Sequence, residues 1–150
     1  MSDGRNGGVK NAVGLRSPAV VAWLRLLRVG QKVGRVLTED LKRWDLNLAQ
    51  FDTLAHVGAA EGITQQELAE SLLVTKGNVC QMLDRLERRG LLFRRPEGRA
   101  NRLFLTQEGR RLFDDAVPPH EELVAAQFSA LSSEERVDLM RLLGDLDRAL

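Results

Sequence analysis

The chain has 150 residues, 43% hydrophobic and 29% charged, with a formal net charge of +1, which suits one domain with a sizeable core. No run approaches the roughly 18 consecutive apolar residues of a membrane helix, and the lone Cys80 excludes an intramolecular disulfide framework. Two distant histidines, one cysteine and no glycine-rich phosphate loop give no nucleophile–base pair or metal-ligand spacing, so neither an enzyme nor a metal or cofactor site is expected.

Residues 1–16, rich in Gly and Asn, lack the apolar core of a signal peptide and read as a disordered leader of a cytoplasmic protein. Ser17-Pro18 is a helix-start signal, a side-chain cap followed by a proline whose missing N–H costs nothing in the first turn. Val20, Val21, Leu24, Leu27, Val36, Leu37 and Leu41 then recur at helical spacing, which predicts a first helix reaching Arg43 despite Gly30 and Gly34. A second helix is predicted over 48–60, with Phe51, Leu54 and Ala55 inward and Glu61-Gly62 as its stop.

Thr64-Gln-Gln-Glu67 is a capping box opening a short helix that ends near Leu72. Thr75 caps a longer helix running to Arg89 and stopping at Gly90. Two such helices across a tight Leu73-Val74 connection fit a helix-turn-helix. After Gly90 the period changes: residues 91–95 and 102–106 read as short strands around a turn at 96–101, a wing. Thr106 caps a further helix that Pro118-Pro119 should break or kink on its way to about Leu131. Ser132-Ser-Glu-Glu135 opens the last helix, in which Leu139, Leu143, Leu146 and Leu150 form a coiled-coil-like seam. The predicted fold is mainly α with a small β-hairpin wing.

Charge divides sharply along this chain. Lys76 to Arg102 holds eight basic and three acidic residues, a net of +5, whereas Gln107 to Leu150 holds five arginines against ten carboxylates. One part of the molecule is therefore suited to a polyanion. On the 75–89 helix, Val79, Met82, Leu83 and Leu86 form an apolar stripe, and Gly77, Asn78, Gln81, Arg85 and Arg88 fall opposite. Amides pair with adenine and guanidiniums with guanine in a major groove. A solvated amphipathic surface would carry similar residues, but this face directly follows a capped short helix. In the wing, Arg99 sits near the tip, where a guanidinium can enter a narrow minor groove, and Arg94, Arg95 and Arg102 flank it as phosphate contacts.

Leu48-Ala-Gln-Phe51-Asp-Thr-Leu54, Thr64-Gln-Gln-Glu-Leu-Ala-Glu70, Leu83-Asp-Arg-Leu-Glu-Arg-Arg-Gly-Leu91 and Leu105-Thr-Gln-Glu-Gly109 resemble, in order and separation, successive landmarks of the MarR (multiple antibiotic resistance regulator) family. The resemblance implies a winged-helix lobe over 47–106 and dimerisation helices over 17–43 and 107–150. It further implies a homodimer on a pseudo-palindromic double-stranded operator, usually a repressor relieved by a small organic effector or by oxidation. Thr64 and Gln65 match the helix start that touches phosphates; Thr75, Lys76, Asn78 and Gln81 match the reading end of the recognition helix; Arg99 matches the wing arginine. Arg85 and Arg102 extend these DNA-contact candidates. The family's wing usually reads Asp-Arg-Arg; here Glu97-Gly98-Arg99 keeps an acid able to brace Arg99 and lacks the first arginine.

For an effector, Trp23, Phe51 and His56 are candidate walls of a cleft between dimerisation helices and DNA-binding lobe, though Trp23 and Phe51 also suit a core and His56 a helix surface. His120 has no better support. A redox alternative uses Cys80 beside the reading face; the family's peroxide sensors resemble a cysteine in the first helix, which this chain lacks. The other alternative is a winged helix that binds protein, for which exposed aromatics or aliphatics should replace the arginines of the reading face.

Overall fold

The computed structural model describes residues 17–72 and 76–150. The expected leader and Thr75 lie outside the described residues, as does the side chain of Lys76. Among the described residues, six α-helices and one β-hairpin follow one another: α1 (Pro18–Leu41), α2 (Leu48–Ala59), α3 (Gln65–Leu72), α4 (Lys76–Arg88), β1 (Leu92–Glu97), β2 (Ala100–Leu105), α5 (Gln107–Gln127) and α6 (Ser133–Ala149). A single 3-10 turn, Lys42–Trp44, joins α1 to α2. This is a winged helix-turn-helix carried on long outer helices.

The helix starts are chemical. Ser17 Oγ accepts from the Val20 N–H, and Asn47 and Gln50 cap α2 reciprocally. Thr64 Oγ1 accepts from the Glu67 N–H at 3.1 Å while the Glu67 carboxylate accepts from the Thr64 N–H at 3.2 Å, so the capping box of α3 is closed in both directions. Ser132 and Glu135 do the same for α6. Each such cap satisfies amides that the helix itself cannot, at about 1 kcal/mol apiece. Thr106 joins two elements: its Oγ1 donates to the Gly90 carbonyl at 2.5 Å and accepts from the Gly109 N–H at 3.0 Å. A Cβ at Gly109 would collide with the Leu91 carbonyl, so glycine is required where α5 starts across the end of α4.

One core closes the lobe that runs from α2 to β2. Leu54, Leu68, Leu83, Leu86 and Leu103 are wholly buried, with Phe51, Val57, Val79, Leu92 and Ala116 around them. Complete burial of such side chains contributes roughly 1.5–3 kcal/mol each. Val79, Leu83 and Leu86 are the predicted stripe of α4; Met82 lies at its edge, where its sulfur accepts from the buried Thr53 hydroxyl. Among the described residues, no helix is long and apolar enough to cross a membrane.

Two expectations need correction. The wing has a two-residue tip, Gly98-Arg99, rather than a six-residue turn, because both strands extend to meet it. Gly98, at φ 60, takes the first turn position, which only glycine occupies without strain. Pro96 remains in β1, paired with Asn101. The other edge of β2 bonds to Gly62 and Ile63, so β1 is the free edge, and there a missing N–H is tolerated. Nor do Pro118-Pro119 break α5, which runs unbroken through them. The prolines deprive the Asp114 and Asp115 carbonyls of their helical donors on an exposed stretch, while Ala116 and His120 anchor the opposite face.

Candidate nucleic-acid interface

On α4, Gly77, Asn78, Gln81, Arg85 and Arg88 are all exposed on the side away from the core. Gln81 and Arg85 rim a notch of about 180 Å³ shared with Asn47 and Gln50 at the start of α2. A larger cleft of about 600 Å³ separates the start of α3 from the wing, between Thr64, Gln65, Arg99 and Asn101. The start of α3 thus faces the wing tip across one cleft, and the exposed face of α4 faces the start of α2 across the other.

The sequence candidates divide by what their polar groups already do. Thr64 is half-buried and occupied in its cap, and pairs as an isolated bridge with Arg102. Gln65 donates to Cys80 Sγ at 2.7 Å, which ties α3 to α4, and keeps its buried carbonyl oxygen without a partner. Arg102 donates to the Glu97 carboxylate and, at 2.9 Å, to the Gly62 carbonyl. Glu97 therefore does not brace Arg99. Residues 97 and 102 lie diagonally on one face of the hairpin, whereas Arg99 belongs to the turn.

The flanking wing arginines are likewise engaged. Arg95 lies over the Phe104 ring at 4.7 Å and the Phe93 ring at 5.9 Å, and those rings stack across the strands. Arg94 turns to the opposite face and reaches α4, where it meets Asp84, Glu87 and the Cys80 carbonyl. Arg99 is the wing arginine for which the described residues supply no hydrogen bond, ion pair or ring contact. Its guanidinium stands at the tip, open to a polyanion.

The three effector candidates are not gathered into one wall. Trp23 is 57% exposed on the outer half of α1, Phe51 is buried in the core, and His56 donates from Nδ1 to the Asp52 carbonyl at 2.7 Å. His120, for which the sequence offered nothing, is buried where α5 meets α2. Its ring packs on Phe51 with centroids 3.9 Å apart, and its Nδ1 has no partner. Burial pushes the His120 pKa below its ordinary value, against the opposing pull of Asp52, Asp40 and Glu121. Burial likewise raises the Asp52 pKa, against His56 and His120.

A sequence model of the MarR family matches residues 44–102. An HTH-type transcriptional regulator of Bacillus cereus is 34% identical over 118 residues, 79% of this chain and 80% of that protein. PecS, an HTH-type transcriptional regulator of Dickeya dadantii, is 33% identical over 131 residues, 83% of this chain and 79% of its own. A mutant MarR from E. coli, solved in complex with operator DNA, matches with a TM-score of 0.74 at 30% identity, over 85% of this chain and 95% of that one. The chain belongs to the MarR family of transcriptional regulators.

Proposed function

We propose that this regulator is a homodimer that binds a pseudo-palindromic duplex operator, represses transcription there, and is released by a small organic effector. The observation that carries the reading is the exposed face of α4, with its amides and guanidiniums, together with the uncommitted Arg99 at the wing tip across a cleft from the start of α3. In it α4 enters the major groove, with Gln81, Asn78 and Arg85 toward base edges, and Arg99 enters the adjacent minor groove. Thr64, Gln65 and Arg102 lie toward phosphates.

Dimerisation is assigned to 17–43 and 107–150, the DNA-binding lobe to 47–106. In support, α1 exposes Val20, Trp23, Leu24 and Leu27, and α6 exposes Met140, Leu143 and Leu146, apolar faces that a monomer leaves in water. Release by an effector is assigned to the seam between α5 and α2, where His120 keeps a buried nitrogen without a partner beside Phe51. A regulator of this kind works where the chromosome is, in the cytoplasm.

The test is duplex selection followed by titration of the selected operator at two salt concentrations. Between about 50 and 200 mM salt, affinity should fall by roughly a thousandfold, since each neutralised phosphate releases counterions. Binding indifferent to salt and to sequence would remove the proposal.

A further inference from the structure

We propose that Arg94 is a positioning residue for DNA recognition, a clamp that holds the wing at one angle to the reading helix. The inference rests on the DNA-binding reading above and concerns a side chain which that reading leaves unused. Arg94 extends from the face of β1 that turns toward α4, and its side chain is only 18% exposed. Its Nη1 donates to Asp84 Oδ1 and Glu87 Oε2, both at 2.8 Å, and its Nη2 donates to the Cys80 carbonyl at 3.1 Å. Cys80, Asp84 and Glu87 are spaced by four and three residues, so they form one row along the helix, next to the row that carries Gln81 and Arg88. One planar guanidinium therefore grips two turns of α4, a geometry an ammonium cannot copy.

Two consequences bear on DNA. Four residues at about 3.3 Å separate Arg94 from Gly98, so the tip stands about 13 Å beyond the clamp. A tilt of about 10° about that point moves the tip by about 2 Å, more than the roughly 0.5 Å spread of a good hydrogen bond. The bonds of Leu103 to Gly62 and Ile63 hold the β2 side of the wing, and Arg94 holds the β1 side, so that Arg99 keeps its register with the α4 side chains. In addition, Asp84 and Glu87 flank the reading face, where bare carboxylates would repel phosphates, and Arg94 offsets their charge.

Positioning and simple charge neutralisation predict different double-mutant cycles. Operator affinity is measured for the full chain, Arg99→Ala, Arg94→Ala and the pair, with thermal midpoints confirming folded dimers. Arg99→Ala should weaken binding about tenfold in the unaltered chain, the scale of one lost groove contact. In the Arg94→Ala background the same change should cost less than about twofold, because an unclamped wing no longer delivers its arginine. Adding Asp84→Asn and Glu87→Gln to Arg94→Ala should recover part of the affinity and none of the dependence on Arg99. An equal Arg99 effect with and without Arg94 overturns the proposal, as does recovery of that dependence once the acids are neutral. Should Arg94→Ala not fold, Arg94→Lys takes its place in the cycle, with the same two readings. If the unaltered chain bound no duplex at all, the DNA-binding reading would fail first and take the clamp with it.

Discussion

The lobe from α2 to β2 and the helix α6 treat their leucines in opposite ways, while α1 does both, exposing Leu24 and Leu27 and burying Leu37 and Leu41. In the lobe, Leu54, Leu68, Leu83, Leu86 and Leu103 are all wholly buried within one chain. In α6 no residue is buried, and Val137, Met140 and Leu146 are each more than half exposed. A 17-residue helix with little of its own chain to lean on is marginal in water, so α6 needs a surface from elsewhere. The core of the lobe is complete within one chain, with Leu41 of α1 and Ala116 of α5 in it, whereas the apolar face of α6 is left uncovered. Stability in the first is a property of the chain, and in the second it depends on concentration.

The largest expected effect comes from denying the outer helices their partner. Leu143→Glu with Leu146→Glu should yield a monomer in sedimentation, reduced helicity at α6, and operator affinity weaker by roughly a hundredfold or more, since linked half-sites are lost. A dimer of unchanged mass would mean that the α6 seam is not the interface. Within the lobe the corresponding lesion is Leu83→Ala, which leaves a cavity among Leu54, Leu68 and Leu86 and should cost about 2–5 kcal/mol in urea unfolding. It should leave the dimer intact, and dissociation there instead would erase the distinction between the two regions.

Local chemistry was legible in the sequence and tertiary geometry was not. The caps of α1, α3, α5 and α6 were legible because side chain and amide lie within three residues of each other, and the α4 stripe because period alone sets it. The wing tip was misjudged because Pro96 and Asn101 both read as loop formers, yet a free strand edge accepts a proline. Pro118-Pro119 misled for a similar reason: burial of Ala116 and His120 holds a helix that the local signal would end. The Arg94 clamp left a faint trace, since Cys80, Asp84 and Glu87 share one row of α4, but nothing local says which of seven nearby arginines reaches it. His120 was opaque, because burial depends on how α5 lies against α2.

A smaller effect, confined to recognition, comes from Gln81→Ala. Gln81 is exposed, so the truncation should leave the urea midpoint and dimer mass unchanged while costing ~1–3 kcal/mol against the selected operator. The loss should vanish on random duplex, because phosphate contacts carry no sequence. Equal losses on both duplexes would move Gln81 from the reading set to the phosphate set.

The smallest effect is a pH slope at the joint between the two regions, where α5 carries His120 against Phe51 of the lobe. Burial holds the folded His120 pKa below 6.5, so across that window the unfolded chain binds the proton that the folded chain refuses. Stability is then fully present above pH 6.5, declines as pH falls from 6.5 to the folded pKa, and levels off below it. Asp52 acts in the opposite direction and in a lower window: its raised pKa means the folded state keeps a proton longer, so stability declines as pH rises from 3.8 through that value. Urea midpoints from about pH 7.5 down to about pH 5.5 should therefore fall for the native chain and fall less for His120→Gln, which cannot charge. Asp52→Asn should leave the upper limb with the same sign, since desolvation of the ring is its first cause. An identical slope in His120→Gln would assign the titration elsewhere and leave the joint insensitive to protons.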